Sequence, residues 1–217
     1  MSVNSSTDIA NLALDLLSGS QIQSIDSPTS ATESLIARWY DTTRRKVLRE
    51  HPWGFATKRI VLAPDSADPA FGYSAAFSVP SDFLRLLDVA TNLSDTQETF
   101  LPKKYYQFEQ NRILLNDYYG DNESLNLIYI FDNTNVSQYD PLFIDLLAHD
   151  LALAIAYKVS ETNTNVQRLE QLTKTRGMLA KAVEGQERPP TRVERSHALS
   201  ARRRAGRTTR TDRLYFD

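Results

Sequence analysis

Asp145, His149 and Asp150 form the one polar cluster that the sequence places on an otherwise apolar element. Asp145 and His149 lie four residues apart, so on a helix they share a face and can hydrogen-bond to each other. Such a pair could serve as a catalytic acid and base or contribute to a metal site. Either role needs a further ligand or a nucleophile, and the sequence offers neither beside them. We therefore expect a satisfied polar pair at a contact between helices or subunits.

The other signatures of enzymes and of cofactor-binding proteins are missing from the sequence. Its seven glycines are scattered singly, without a glycine-rich phosphate loop or a dinucleotide-binding fingerprint. The other two histidines, His51 and His197, lie far from His149 and from each other. The chain has no cysteine, which excludes disulfides and thiolate metal sites and favours a reducing compartment. We expect a protein that is not an enzyme and that holds no cofactor and no metal.

The last thirty residues, 188–217, differ from the rest of the chain in composition. They contain nine arginines, no lysine and three acids, which gives this arginine arm a net charge of +6. Since the whole chain carries −2, residues 1–187 carry −8. Arginine binds carboxylate or phosphate through a planar fork of donors, whereas lysine is a point charge. The candidate docking residues of the arm are Arg192, Arg195, Arg202, Arg203, Arg204, Arg207, Arg210, Arg213, Leu214, Tyr215 and Phe216.

Three interpretations of the arginine arm are open. It is a solvated tail, a phosphate-binding segment of a nucleic-acid-binding protein, or an arm that docks on another protein. Pro189 and Pro190 break the preceding helix and no hydrophobic period follows, so the free arm is predicted to be disordered. A phosphate-binding arm usually mixes lysine with arginine, whereas Leu214, Tyr215 and Phe216 supply an apolar anchor for a protein contact. We expect docking on a protein, with nucleic-acid binding as the alternative function.

Glycines are expected to end the first and the last of four predicted helices. The first helix begins near residue 6 or 7, and Gly19 is expected to end it in a left-handed conformation. The last helix runs from about residue 163 or 164 to Val183, with Gly185 as its stop. Its apolar side is formed by Val166, Leu169, Leu172, Leu179 and Val183. Met178 is also apolar but lies off this side of the helix.

The second helix begins at a capping box formed by Ser30 and Glu33, and Pro52 forces the chain to leave it at His51. Its basic side could contact nucleic acid. Two acids lie beside that side and no aromatic residues are interleaved, so a solvated or subunit-facing surface is preferred. The basic residues are Arg38, Arg44, Arg45, Lys46 and Arg49.

A small antiparallel β module is predicted between the second and third helices. Short β-branched and aromatic runs occupy residues 59–62, 76–79, 84–90, 105–108, 112–115 and 125–131. Turns are predicted at residues 110–111 and 120–122. The last run is apolar on both of its faces, so both faces are expected to be covered. Every connection is short, which argues against a doubly wound sheet.

The third helix is predicted to start at Asp140 and Pro141, with residues 142–159 apolar almost all the way round. Such a helix is buried from several directions, either in the middle of a bundle or by a neighbouring subunit. Four charged or polar residues interrupt the stretch, and it is too short to span a bilayer. We therefore expect no membrane partner.

The predicted fold class is α+β. Helices from both ends of the chain form a bundle, a small antiparallel β module is inserted between them, and an extended basic arm follows. The expected division is residues 1–54 for the N-terminal helices, 55–135 for the β module, 136–187 for the C-terminal helices and 188–217 for the arm.

One sequence block is more specific than these patterns. The run from Arg44 to Ala56 has the form R-x-x-x-L-R-x-H-P-W-x-F-A. With IANLALDLLSGSQIQSID at 9–26, FGYSAAFSVPSDFLRLLDV at 71–89 and LAHDLALAIAYKVS at 147–160, the chain resembles the tail tubular protein A family. These proteins are head-to-tail adaptors of short-tailed bacteriophages, and the resemblance covers residues 8 to about 185. The candidate structural corner in the most specific part is His51, Pro52, Trp53 and Phe55.

The resemblance implies a structural role in a virion, at the junction of head and tail, for a protein made in the host cytoplasm. Adaptors of this kind form a dodecameric ring that binds the portal protein above and the tail nozzle, a tail tubular protein B-like partner, below. The genome passes through the lumen during ejection without specific binding. Their C-terminal segment typically extends to grip the portal, which fits the arginine arm. Whether tail fibres also attach is left open.

Overall fold

The computed structural model describes residues 3–92, 98–101, 105–116, 124–159 and 163–187. Within these ranges the chain forms four α-helices: α1 (Ser6–Leu16), α2 (Ala31–Glu50), α3 (Pro141–Val159) and α4 (Asn163–Glu187). Two small antiparallel sheets lie between α2 and α3 in sequence, which confirms the predicted α+β class. The chain divides into two units, Met1–Glu184 and Gly185–Asp217, and the packing described below is that of the first.

Capping boxes start α1 and α2. The Ser5 hydroxyl accepts from the Asp8 N–H at 3.1 Å, while the Asp8 carboxylate accepts from the Ser5 N–H at 3.0 Å. The predicted Ser30–Glu33 box is confirmed in α2 by the same reciprocal pattern. These contacts satisfy N–H groups that the first helical turn leaves without an intrahelical partner.

The predicted end of α1 at Gly19 is wrong by one residue. Ser18 takes the left-handed conformation, with φ of 55°, and the Gly19 N–H donates to the Leu14 carbonyl at 2.9 Å. In this type of helix end, the residue with the left-handed conformation comes directly before the residue whose N–H makes the long hydrogen bond. The left-handed residue is therefore Ser18 and not Gly19. The predicted exit from α2 is confirmed, because His51 is already extended at φ −133°.

Seven strands make the two sheets of the described residues. They are β1 (Thr57–Leu62), β2 (Ala75–Ser78), β3 (Phe83–Asn92), β4 (Glu98–Phe100), β5 (Tyr106–Glu109), β6 (Arg112–Leu115) and β7 (Leu125–Phe131). One sheet has the order β1-β7-β3-β4 and the other β2-β6-β5, with every pairing antiparallel. The sequence did not predict β4. Positive φ at Gln110 and Asn111 confirms the tight turn between β5 and β6, whereas residues 120–122 lie outside the described ranges.

The first sheet lies between two hydrophobic cores. Leu125, Leu127 and Tyr129 of its central strand β7 pack with the second sheet, and Ile130 packs into the core of the helices. Both faces of β7 are therefore covered at this end, as its apolar pattern predicted. Further along the strand, Asn126 and Ile128 are only half-buried.

The helix α3 lies in the middle of the bundle. Phe143, Leu147, Leu151 and Ile155 are fully buried, and α1 and α2 both pack against it. The chain's own helices thus provide the burial that the all-round apolar pattern required. The stop predicted at Gly185 is wrong, because α4 continues through it to Glu187. None of the described helices is long and apolar enough to cross a membrane.

Candidate interaction surfaces

The candidate docking residues of the arginine arm, from Arg192 to Phe216, lie outside the described residues, so their role stays a prediction. The structural corner and the charged residues of α2 and α3 lie within them. They show which of the predicted groups make contacts within the chain and which stay exposed.

The corner segment, residues 51–56, turns the chain from α2 into β1. Trp53 is 1% exposed, and its indole N–H donates to the Val47 carbonyl at 3.0 Å, which satisfies its one polar atom. The Trp53 ring meets Phe143 edge-on, with 5.1 Å between ring centroids. Phe55 meets Phe143 at 4.9 Å and Tyr139 at 5.5 Å. The corner is therefore an aromatic cluster anchored on α3.

Hydrogen bonds extend the corner to distant parts of the chain. The Asn133 amide donates to the Phe55 carbonyl at 3.1 Å, and the Gly54 N–H donates to the Glu184 carboxylate at 2.5 Å. The Thr57 hydroxyl donates to the Trp53 carbonyl at 2.7 Å. This short segment therefore joins the N-terminal helices, the sheet and α4, which accounts physically for its unusual composition.

The solvated surface predicted for the basic side of α2 is confirmed for Arg38, Arg45, Lys46 and Arg49, which are exposed, and is wrong for Arg44, which is buried. Arg44 is 6% exposed and pairs with Asp132 at 2.9 Å and with Asp41 at 3.3 Å. Arg45 adds a second contact to Asp132 at 3.3 Å. Asp132 is distant in sequence, so charge patterning along α2 alone could not predict this partner.

Two further cations of α2 also make contacts within the chain. Lys46 pairs with Asp150 of α3 at 2.9 Å, and Arg49 donates to the Leu84 carbonyl of β3. Burial alone would lower the pKa of Lys46, but the hydrogen bond and the charge of Asp150 outweigh it and raise that pKa. On the same helix, Glu50 pairs with Lys181 of α4 at 3.0 Å. These side chains hold α2 to the sheet, α3 and α4.

The Asp145–His149 cluster is a satisfied polar pair at a helix contact. His149 is 5% exposed, and its Nδ1 lies 2.8 Å from the Asp145 carbonyl oxygen. A carbonyl can only accept, so Nδ1 donates. The Asp145 carboxylate faces Arg176 of α4 at 3.4 Å. Among the described residues, no group of three or more histidines and acids could hold a metal ion.

A cleft of about 350 Å³ opens beside α2. Its lining residues are Ser6, Ile25, Asp26, Ala37, Tyr40, Asp41, Arg44 and Thr134. The Tyr40 hydroxyl and the Arg44 Nε have no hydrogen-bond partner, but both atoms are buried beneath the cleft surface. A ligand in the cleft would not reach them, so they do not make it a binding site.

The apolar residues of α4 do not all face the core. Val166, Leu169 and Ala180 are buried, whereas Leu172 is 38% and Leu179 47% exposed. Met178 is 71% exposed. Small residues set the contact with α3, since a Cβ on Gly177 would lie 3.5 Å from the Leu146 side chain. The helical spacing of Val166, Leu169, Gly177 and Ala180 is the signal that would have identified the buried side.

A scan against models of known protein families and a search of curated protein sequences find no match for this chain.

Proposed function

We propose that this chain is a structural head-to-tail adaptor of a phage virion. It forms a ring that joins the portal protein to the tail nozzle and lets the genome pass through its lumen. The observation that carries the proposal is the His51–Ala56 segment, whose sequence resembles that of the tail tubular protein A family. Its role as the joint between bundle and sheet gives a physical reason for such a specific string.

The charge distribution supports passage of DNA without binding. Residues 1–187 carry −8, and a negatively charged lumen wall would repel the phosphate backbone. Four of the five cations of α2 that could have bound phosphate, Arg44, Arg45, Lys46 and Arg49, contact acids or a carbonyl of the same chain. We therefore expect a chain truncated after Glu187 to bind duplex DNA poorly at physiological salt. Submicromolar, salt-sensitive DNA binding by this truncated chain would contradict the proposal.

The arginine arm is the proposed portal-docking element. Its arginines would contact portal carboxylates, while Tyr215 and Phe216 fill an apolar pocket. Ordering the arm on its partner costs conformational entropy. An exposed ion pair contributes only about 0–1 kcal/mol, so the aromatic anchor should matter more than any single arginine.

Deletion of residues 188–217 tests the arm directly. The truncated chain should keep its helical circular dichroism and lose stable co-sedimentation with the portal protein. A Tyr215→Ser/Phe216→Ser double variant should weaken co-sedimentation more than Arg202→Gln, which is the matched control. If the truncated chain co-sediments as well as the full chain, the arm is not the docking element and is a solvated tail.

The alternative function, nucleic-acid binding by the arm, is separated by comparing the full and the truncated chain. Nine arginines without lysine suit phosphate as well as carboxylate. If the arm binds nucleic acid, the full chain should bind duplex DNA with a steep salt dependence that the truncated chain lacks. Under the adaptor proposal, loss of the arm changes portal binding far more than DNA binding.

A further inference from the structure

The exposed side of α4 is the strongest unexplained surface of the described residues. Leu172 and Leu179 lie seven residues apart, two helical turns, so they share one side of the helix. Arg168 lies four residues before Leu172 on the same edge, and Arg176, four residues after it, is half-exposed and pairs with Asp145 of α3 at 3.4 Å. The only acid between Arg168 and Val183 is Glu170, which lies on the opposite side of the helix. We call Arg168, Leu172, Arg176 and Leu179 the α4 stripe.

The helix α1 carries a surface of the opposite charge. Leu12 is 37% and Leu16 42% exposed, and their spacing of four residues places them on one side. Asp15 is exposed next to Leu16, and α1 contains no lysine or arginine. We call Leu12, Asp15 and Leu16 the α1 face.

The α1 face and the α4 stripe are complementary in charge and alike in their apolar content. Both are exposed in the same subunit, so neither covers the other there. Contacts between proteins commonly place exposed apolar side chains at the centre and complementary charges at the rim. A second molecule that carries the matching surface could cover each of them, and a second copy of this chain carries both surfaces.

We propose that the α4 stripe of one copy docks on the α1 face of the next. This inference rests on the proposed ring, because it names the surfaces through which neighbouring copies meet. A contact between two different surfaces is heterologous, and repeated contacts of this kind close into a ring or extend into a filament. Leu172 and Leu179 contact the apolar side chains of Leu12 and Leu16 of the neighbour, and Arg168 of the stripe faces its Asp15.

Thiol cross-linking of the full chain tests this contact, since the natural sequence has no cysteine. A Leu16→Cys/Leu179→Cys variant is treated with a short bis-maleimide, which does not require an exact register between the two surfaces. We expect a ladder of cross-linked chains that extends beyond the dimer. The Leu16→Cys and Leu179→Cys single variants should stay unlinked, and their equal mixture should stop at dimers.

The matched control is Leu16→Cys/Met178→Cys. Met178 is more exposed than Leu179, but successive helical residues differ in direction by about 100°, so it points away from the stripe. An equal ladder from this control would overturn the proposed contact, and so would cross-linked dimers from Leu16→Cys alone.

Light scattering on the same samples separates this contact from the proposed ring. Assembled protein whose Leu16→Cys/Leu179→Cys variant gives no ladder would overturn the contact and leave the ring proposal standing. Wild-type protein that stays monomeric at every concentration, both alone and with its portal protein, would overturn both. Loss of assembly in Leu172→Asp, with assembly kept in Met178→Asp, would support the contact.

Discussion

The helices α3 and α4 follow one another in sequence but differ in how they use their apolar residues. In α3 most apolar side chains are buried against α1, α2 and the corner, the buried Asp150 pairs with Lys46, and the half-buried Asp145 faces Arg176. In α4 a narrow line of small and apolar residues contacts α3, while Leu172 and Leu179 face outwards. The chain therefore encloses α3 with its own elements, whereas α4 keeps apolar residues exposed.

A lysine at a matched leucine of each helix should give the largest difference. Leu146 is 2% exposed, so Leu146→Lys leaves a charge in the core and should cost several kcal/mol of unfolding free energy. Leu172→Lys should change the free energy of unfolding by less than about 0.5 kcal/mol. Urea unfolding of both variants at low protein concentration measures the difference. Similar losses in the two variants would show that α4 is as deeply packed as α3.

The start of α2, which covers α3, should show a pH-dependent contribution to stability. Hydrogen bonds from the Thr29 N–H and hydroxyl and from the Ser30 N–H lower the pKa of Glu33 from 4.5 to about 2. A lowered pKa stabilises the fold above the ordinary value, and the contribution is lost as the pH falls from about 4.5 towards 2. The free energies of unfolding of wild type and Glu33→Gln should therefore converge over this range.

Ser30→Ala is the control for this capping box. It removes the neutral half of the box and should cost about 1 kcal/mol at every pH. Unfolding free energies measured from pH 7 to pH 2 separate the two effects. A gap between wild type and Glu33→Gln that stays constant over this range would contradict the role assigned to the Glu33 carboxylate.

Two tyrosines close to α3 should respond differently to loss of the hydroxyl. The Tyr139 hydroxyl donates to the Asn133 carbonyl at 2.6 Å, so Tyr139→Phe should cost about 1 kcal/mol. The Tyr40 hydroxyl is buried without a partner, so Tyr40→Phe should be neutral or slightly stabilising. Thermal unfolding of the two variants tests this, and an equal loss of stability would show that Tyr40 also has a partner in solution.

The smallest effect is expected where α3 and α4 touch. A Cβ on Gly177 would sit 3.5 Å from Leu146, an ordinary contact, so Gly177→Ala should stabilise the fold by up to about 1 kcal/mol through helix propensity. Gly177→Leu should lower stability, because the larger side chain would push the helices apart. Stabilisation by both substitutions would mean that α4 is not seated on α3 as described.

Local rules predicted much of the fold. The capping box at Ser30, the exit at His51, the turn at residues 110–111 and the burial of α3 all follow from neighbouring residues and helical periodicity. The missed features depend on partners that are distant in sequence. Asp132 lies 88 residues from Arg44 in sequence. Its carboxylate pairs with the Arg44 guanidinium within the chain, although the sequence alone places that guanidinium on the surface.

The candidate surfaces were less predictable for a related reason. The large apolar residues of α4 alone do not reveal which of them face α3, because the buried side is recognised only when the small residues Gly177 and Ala180 are included in the helical pattern. Leu172 and Leu179 look like core residues in sequence and are exposed in the structure. The arginine arm shows the opposite case, because its composition predicts docking but does not identify a partner.

Electron microscopy of the purified full-length protein, alone and mixed with its portal protein, tests the adaptor role most directly. We predict closed rings with a central channel, twelve-fold by resemblance to the tail tubular protein A family, that stack coaxially on portal rings. Monomers that remain separate from the portal under both conditions would contradict the proposal.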